Sequence, residues 1–179
     1  VKMKLASRCG ISPDLSGAIN SRALLHIDNA YYLSDISVEN YLCKTNTSSS
    51  TAFRGFGGNQ GMMIIENIVD NIARYLKKDS AEIRKINFYK KNKKNITHYG
   101  MKIEDNIINE IFNKLIKSSN YKKRKLNIRK FNSKNKYFKK GLAITPVKFG
   151  ISFTTQHLNQ AGALVHIYFG DGSVHVSTG

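Results

Sequence analysis

Two kinds of apolar periodicity run through this chain, and together they confine it to a fold that mixes helices with strands. Ile65, Ile68, Val69, Ile72 and Leu76 recur at three- and four-residue spacing, which places them on one face of a helix over residues 61–76. Residues 163–168 and 173–177 are short β-prone runs on either side of Gly170-Asp171-Gly172, the sequence of a hairpin turn. Between these markers, Asp79-Ser80-Ala81-Glu82 has the form of an N-cap with a glutamate three positions on, and predicts a short helix running to Phe88. Ile107, Ile108, Ile111, Phe112, Leu115 and Ile116 predict another amphipathic helix, and the Lys-rich stretch from Tyr121 predicts a further one. Residues 141–150 read as a strand interrupted or ended near Pro146, because proline cannot donate to a ladder. The hairpin leaves a strand edge open. The fold class expected is α+β, in three zones: 1–89, 90–140 and 141–179.

Charge sets the zones apart. Residues 74–140 hold 22 of the 29 Lys and Arg and 5 of the 12 acids, so the whole formal charge of +17 lies there and the rest is neutral. Such a balance ordinarily directs attention to nucleic acid or an acidic membrane surface. Here Lys alternates with Asn and Ile, as in Lys90-Lys91-Asn92-Lys93-Lys94-Asn95, and the cations fall mostly off the apolar stripes, which describes a solvated face. A nucleic-acid module draws slight support from Tyr121, Phe131, Tyr137 and Phe138, which interleave with the basic groups; it would show affinity falling steeply with salt. No run approaches the roughly 20 apolar residues of a membrane-spanning helix. Cys9 and Cys43 fit no zinc spacing and read as reduced thiols, and a cytoplasmic location follows. The start at Val1 and the stop at Gly179 both fall in mid-pattern, so a fragment of a longer chain is expected.

Few residues offer chemistry. His26, His98, His157, His166 and His175 are dispersed, and no hydrolase or nucleotide-binding motif is present. The strongest local feature is Thr51-Ala52-Phe53-Arg54-Gly55-Phe56-Gly57-Gly58-Asn59-Gln60-Gly61. Its glycines let backbone N–H groups approach an anionic or oxo ligand, beside the N-terminus of the following helix. Arg54 adds a fork of donors, and Phe56 an aromatic face for a planar ligand. The same residues equally describe a tight turn with Phe56 plugging the core, and on this stretch alone both readings stand.

Taken together, Ser21-Arg22-Ala23-Leu24-Leu25-His26-Ile27-Asp28-Asn29-Ala30-Tyr31, then Lys44-Thr45-Asn46-Thr47, then Thr51 through Gly61 resemble consecutive blocks of the molybdenum hydroxylases, the family of xanthine dehydrogenases and aldehyde oxidases. Thr145-Pro146-Val147-Lys148-Phe149-Gly150-Ile151-Ser152-Phe153-Thr154 and the stretch from His157 to His166 resemble the same subunit farther along. Within the family, Arg22 and the pair Phe153-Thr154 are similar to the purine-hydroxylating members, the xanthine dehydrogenases, rather than to the aldehyde oxidases. The resemblance implies parts of two molybdenum-cofactor-binding domains: the C-terminal part of the first over 1–89, a helical connection over 90–140 and the start of the second over 141–179.

It also implies hydroxylation of hypoxanthine or xanthine toward urate at a molybdenum-molybdopterin centre, with oxygen drawn from water. Electrons would leave through 2Fe-2S clusters and FAD to NAD in a partner domain or subunit, in a heterotetramer of two subunit types. By the resemblance Arg22, Phe56, Phe153 and Thr154 bind substrate, and Arg54 contacts the molybdenum cofactor without ligating the metal. A guanidinium suits charge developing on a substrate oxygen, and aromatic walls suit a flat heterocycle. No catalytic residue is assigned, since the family's general-base glutamate lies downstream of the last block, and a second pocket glutamate and a metal-side glutamine lie upstream of Val1. Glu66 and Glu82 are expected on helix surfaces and take none of those roles. Asn59 stands where the family usually has proline, which is expected to loosen the turn; Tyr168-Phe169-Gly170-Asp171 is one residue longer than the usual hairpin, and the His-Gly-Gly that commonly ends its second strand is absent. An inactive truncated relic of the subunit is the alternative expectation, as is an inactive isolated fragment.

Overall fold

The computed structural model describes residues 1–154 and 156–179, and divides into two compact units, Val1–Phe149 and Gly150–Gly179. The chain mixes α-helices with strands, as the α+β class expects, and all of its α-helices among the described residues lie in the first unit.

In the first unit, β1 (Lys2–Gly10) and β2 (Ser37–Lys44) pair in parallel, Lys2 against Ser37 through Arg8 against Cys43, with a register shift before Gly10. Parallel neighbours need a crossover, and α1 (Ser16–Leu25) provides it. None of these three elements shows clean periodicity in the sequence. Along β1 only Leu5, Cys9 and Gly10 are buried, and β2 is almost wholly exposed. Both cysteines are free thiols, Cys9 buried and Cys43 exposed.

The helices that follow hold the core. α2 (Gly58–Tyr75) starts three residues before the predicted helix, α3 spans Ser80–Asn87, α4 Ile108–Ser118 and α5 Tyr121–Lys134. Ile65, Val69 and Ala73 of α2, Ala81 and Ile83 of α3, Phe88, Phe112 of α4, Tyr121 of α5 and Ile144 form one buried cluster. The predicted α2 stripe is only half right: Ile72 and Leu76 are 44% and 48% exposed, while Ala73 is 2% exposed. The buried line runs Gly61, Ile65, Val69, Ala73, since small residues let neighbouring helices close in. A Cβ on Gly61 would lie 2.3 Å from the Ala23 carbonyl oxygen of α1.

Asp79 caps α3 as its spacing predicts, its Oδ1 accepting from the Ala81 N–H at 2.8 Å. The same carboxylate accepts from the Tyr121 hydroxyl (2.9 Å) and pairs with Lys125 (2.9 Å), which ties the start of α5 to the start of α3. Burial alone would raise the Asp79 pKa, but Lys125, the Ala81 N–H and Tyr121 outweigh it and hold the carboxyl below its usual range. Among the described residues no helix is long and apolar enough to cross a membrane.

No strand forms over residues 141–150. The segment runs past helices, and its polar backbone groups near Pro146 are met by the Asn29 side chain instead of a neighbouring strand. In the second unit, β3 (Ala163–Ile167) and β4 (Val174–Thr178) form the expected antiparallel hairpin, with His166 opposite His175. Its turn closes through the Gly172 N–H to the Tyr168 carbonyl and Asp171 Oδ1 accepting from Ser173. All residues of both strands are exposed.

Candidate functional site

α1 and the loop before α2 meet at the site because the loop backbone lies directly on the helix. Gly57, the N-cap of α2, has φ +96°, and a Cβ there would stand 1.9 Å from the Ile19 carbonyl oxygen, so glycine is required twice over. Gly55, Phe56 and Gly57 all take positive φ, and Phe56 at +45° is an uncommon conformation for an aromatic residue. The turn is closed by Phe56 N–H to Phe53 O (2.8 Å) and Gly58 N–H to Gly55 O (2.9 Å). Asn59 does not loosen it: its Nδ2 donates to the Arg54 carbonyl at 3.0 Å and its side chain fills the space beside Gly55. The amide thus ties the loop where a ring would otherwise stiffen it.

This arrangement brings Arg22 and Phe56 together. Arg22, on the last turns of α1, is 4% exposed, and its guanidinium carbon lies 5.7 Å from the Phe56 ring centroid and 5.4 Å from that of Phe149. Each such contact contributes roughly 0.5–2 kcal/mol, at the upper end when water is excluded. Phe56 is half-buried and outside the core cluster, so it is not a core plug. Arg54 is exposed, with no ion pair among the described residues. Behind Thr51 a polar pocket of about 270 Å³ is lined by Ser7, Arg8, Ser16, Asn20 and Gln60, and the buried Asn20 Nδ2 has no hydrogen-bond partner among the described residues.

Phe153 and Thr154 belong to the second unit. The Phe153 backbone is held by Asn159, which accepts from its N–H (2.7 Å) and donates to its carbonyl (2.9 Å). The Thr154 hydroxyl is buried without a hydrogen-bond partner among the described residues, although the residue as a whole is half-buried.

Beneath the Arg22 site lies a set of buried charges that sequence reasoning missed. Glu66, expected on a surface, is only 15% exposed in its side chain: Oε2 pairs with Arg84 Nε at 2.7 Å, and Oε1 accepts from Asn29 Nδ2 (2.9 Å) and from the Tyr31 hydroxyl. Arg84 also reaches Asp70 at 2.9 Å, whereas Glu82 is exposed as expected. Asp28 is wholly buried and accepts from Lys148 Nζ (2.5 Å) and the Tyr89 hydroxyl (2.6 Å). Burial pushes the Lys148 ammonium below its usual pKa despite Asp28, and it pushes the Tyr31 and Tyr89 phenols up, the adjacent carboxylates adding to the effect. Burial also lowers the His26 pKa, outweighing the hydrogen bond to the Arg22 carbonyl, which raises it; the Lys148 and Arg22 charges add to the lowering, and Asp28 opposes it least. The only signal for these residues was the run His26-Ile27-Asp28-Asn29 within a resembling block, and it does not say what each touches.

Residues 1–88 and residues 114–179 each match the molybdopterin cofactor-binding domain. The chain is 48% identical over 173 residues to a xanthine dehydrogenase/oxidase of Gallus gallus, covering 97% of this chain and 12% of the relative. It is 43% identical over 177 residues to a xanthine dehydrogenase of Dictyostelium discoideum, covering 99% of this chain and 13% of that one. It therefore spans about one eighth of the length of these relatives. Among solved structures, the aldehyde oxidoreductase from Desulfovibrio desulfuricans superposes with a TM-score of 0.63 at 23% identity, over 71% of this chain and 14% of the other. The aldehyde oxidoreductase from Desulfovibrio gigas does so with a TM-score of 0.63 at 20% identity, over 76% and 15%. At those identities the likeness is one of fold. The chain belongs to the molybdopterin cofactor-binding domain family, and the stretch of that family it matches is the one found in xanthine dehydrogenases.

Proposed function

We propose that this chain supplies substrate and cofactor contacts for the hydroxylation of purines, hypoxanthine and xanthine toward urate, with oxygen drawn from water. The observation that carries the reading is Arg22: a guanidinium almost fully withdrawn from water, set against two aromatic rings, one step from the Arg54–Gly58 loop. In a low-dielectric setting a fixed cation acts strongly on negative charge that develops on a substrate oxygen, and it does so without reorganising. Phe56 offers a face to a flat heterocycle, with Phe153 as a further aromatic wall and Thr154 as a hydroxyl donor.

The residues present fit a molybdopterin. Arg54 is an exposed guanidinium with no carboxylate partner among the described residues, suited to phosphate or oxo groups, and Asn20, whose Nδ2 has no hydrogen-bond partner among the described residues, lines a polar pocket on the same flank. When bound, the molybdenum cofactor supplies the oxygen-transfer and redox chemistry. The chain's own part is to bind and orient. We assign no acid here as the general base: the two most deeply set, Glu66 and Asp28, are committed to Arg84 and Tyr31 and to Lys148 and Tyr89. The base belongs to a part of the enzyme outside this sequence, and the 179-residue chain alone is expected to hold no stoichiometric molybdenum. The full reading is cytoplasmic, with 2Fe-2S, FAD and NAD in a partner domain or subunit of a heterotetramer. It divides this chain into the end of one cofactor-binding domain (1–89), a connection (90–140) and the start of the next (141–179).

The test is Arg22→Ala in the complete polypeptide carrying this sequence, produced with its cofactor. Loss of one such charge-stabilising donor lowers purine turnover by about 10²–10³-fold, at unchanged molybdenum content, whereas Arg54→Ala lowers the molybdenum content itself. Unchanged purine turnover in Arg22→Ala contradicts the reading.

A further inference from the structure

Arg22 owes its setting to a residue far along the chain. The Phe149 ring lies within cation–π range of the guanidinium and 4.9 Å from the His26 ring. It also occupies the space beside Gly58, where a Cβ would meet Phe149 Cε2 at 2.5 Å, so any side chain at 58 displaces the ring. Phe149 is 39% exposed, so burial alone does not hold it in place.

What holds it is a pair of consecutive buried residues just past α1. Asn29 donates from Nδ2 to the Pro146 carbonyl at 3.0 Å and accepts at Oδ1 from the Lys148 N–H at 3.1 Å. One side-chain amide thus satisfies an acceptor and a donor of the segment leading into Phe149, as a neighbouring strand would. Asp28 adds the ion pair to Lys148 Nζ. Asn29 is itself fixed, because its Nδ2 also reaches Glu66, which Arg84 and Tyr31 hold in place. Its backbone φ of +44° is a conformation that asparagine tolerates better than most residues. A continuous path therefore runs from Arg84 through Glu66 and Asn29 to residues 146–148, and by way of Phe149 to Arg22.

We infer that Asn29 and Phe149 are positioning residues for Arg22: Asn29 latches residues 146–148, and the Phe149 ring so placed fixes where the guanidinium points relative to Phe56. The geometry carries this by itself; its consequence for purine turnover rests on the function proposed above.

Arginine-selective modification by 2,3-butanedione, read peptide by peptide by mass spectrometry on the intact protein, tests it without needing turnover. In the unaltered protein Arg22 reacts slowly and the exposed Arg129, which takes no part in the site, reacts fast, as an internal reference. Phe149→Leu keeps an apolar group but removes the ring face, and Asn29→Ala removes the latch; each accelerates reaction at Arg22 by about tenfold or more, by raising its local opening, while Phe149→Tyr restores protection. In the loaded enzyme Phe149→Leu lowers kcat for purines more than it raises KM, and Phe149→Tyr recovers kcat. Arg22 staying as slow in Phe149→Leu as in the unaltered protein overturns the inference, even if Asn29→Ala does not fold. Faster modification with unaltered purine kinetics leaves the positioning intact and counts against the purine reading instead.

Discussion

The ground beneath Arg22 and the Lys-rich face of α4 and α5 handle charge in opposite ways. In the first, Asp28, Arg84 and Glu66 are buried or nearly so and each meets a partner of opposite sign. In the second, Lys91 and Lys125 are the cations of residues 90–140 with ion-pair partners among the described residues, and the Lys91–Glu110 pair is more than half exposed on both sides. A charge taken out of water must be matched in place, so its partners are specified; a solvated charge is specified by almost nothing. The net charge of the chain thus resides where it constrains the fold least.

The contrast can be broken most severely at Arg84. Arg84→Met strands Glu66 half-buried beside Tyr31, and breaking a buried pair by removing one member costs about 3–5 kcal/mol, read as a fall in the urea midpoint at unchanged slope. A loss below about 1 kcal/mol would place Arg84 with the solvated lysines. Asp79→Ala sits on the border between the regions, losing a helix cap and the Lys125 pair together, and costs about 1–2 kcal/mol.

Acid separates two further effects. The folded protein disfavours proton uptake at His26, so below the ordinary pKa of 6.5 the unfolded chain binds a proton that the folded one resists. Stability therefore falls as pH drops from 6.5 toward the depressed folded value, and His26→Gln removes that component of the slope. Asp79 works in a lower window: its contribution is complete above the ordinary 3.8 and is lost as pH falls through its depressed folded value. Smallest of all, Lys122→Gln with Lys123→Gln changes stability by no more than about 0.5 kcal/mol, because both are exposed; a larger change would show that the basic face carries structure.

The sequence made the helices legible where large apolar residues repeat, and obscure where small ones do the packing. Gly61 and Ala73 carry the contact line of α2 that Ile72 and Leu76 were expected to carry. β1 and β2 were not visible, since a strand with two or three buried positions, or almost none, does not alternate cleanly. Residues 141–150 have the composition of a strand but not the partner, because Asn29, over a hundred residues earlier, takes up their hydrogen bonds. Glu66 looked like a surface residue for the same reason: its helix position says nothing of Arg84, Tyr31 and Asn29. Phe56 stood out in its glycine-rich loop, whereas Arg22 entered only through resemblance to a family, and the structure then added a third residue, Phe149, that meets the same guanidinium.

The most direct measurement is an experimental structure of the complete, cofactor-loaded polypeptide with a purine bound. The Arg22 guanidinium should hydrogen-bond an oxygen of the purine, with the Phe56 ring against the heterocycle and Phe149 still on the guanidinium. A purine bound away from Arg22 and Phe56, or an Arg22 turned away from it, would contradict the assignment.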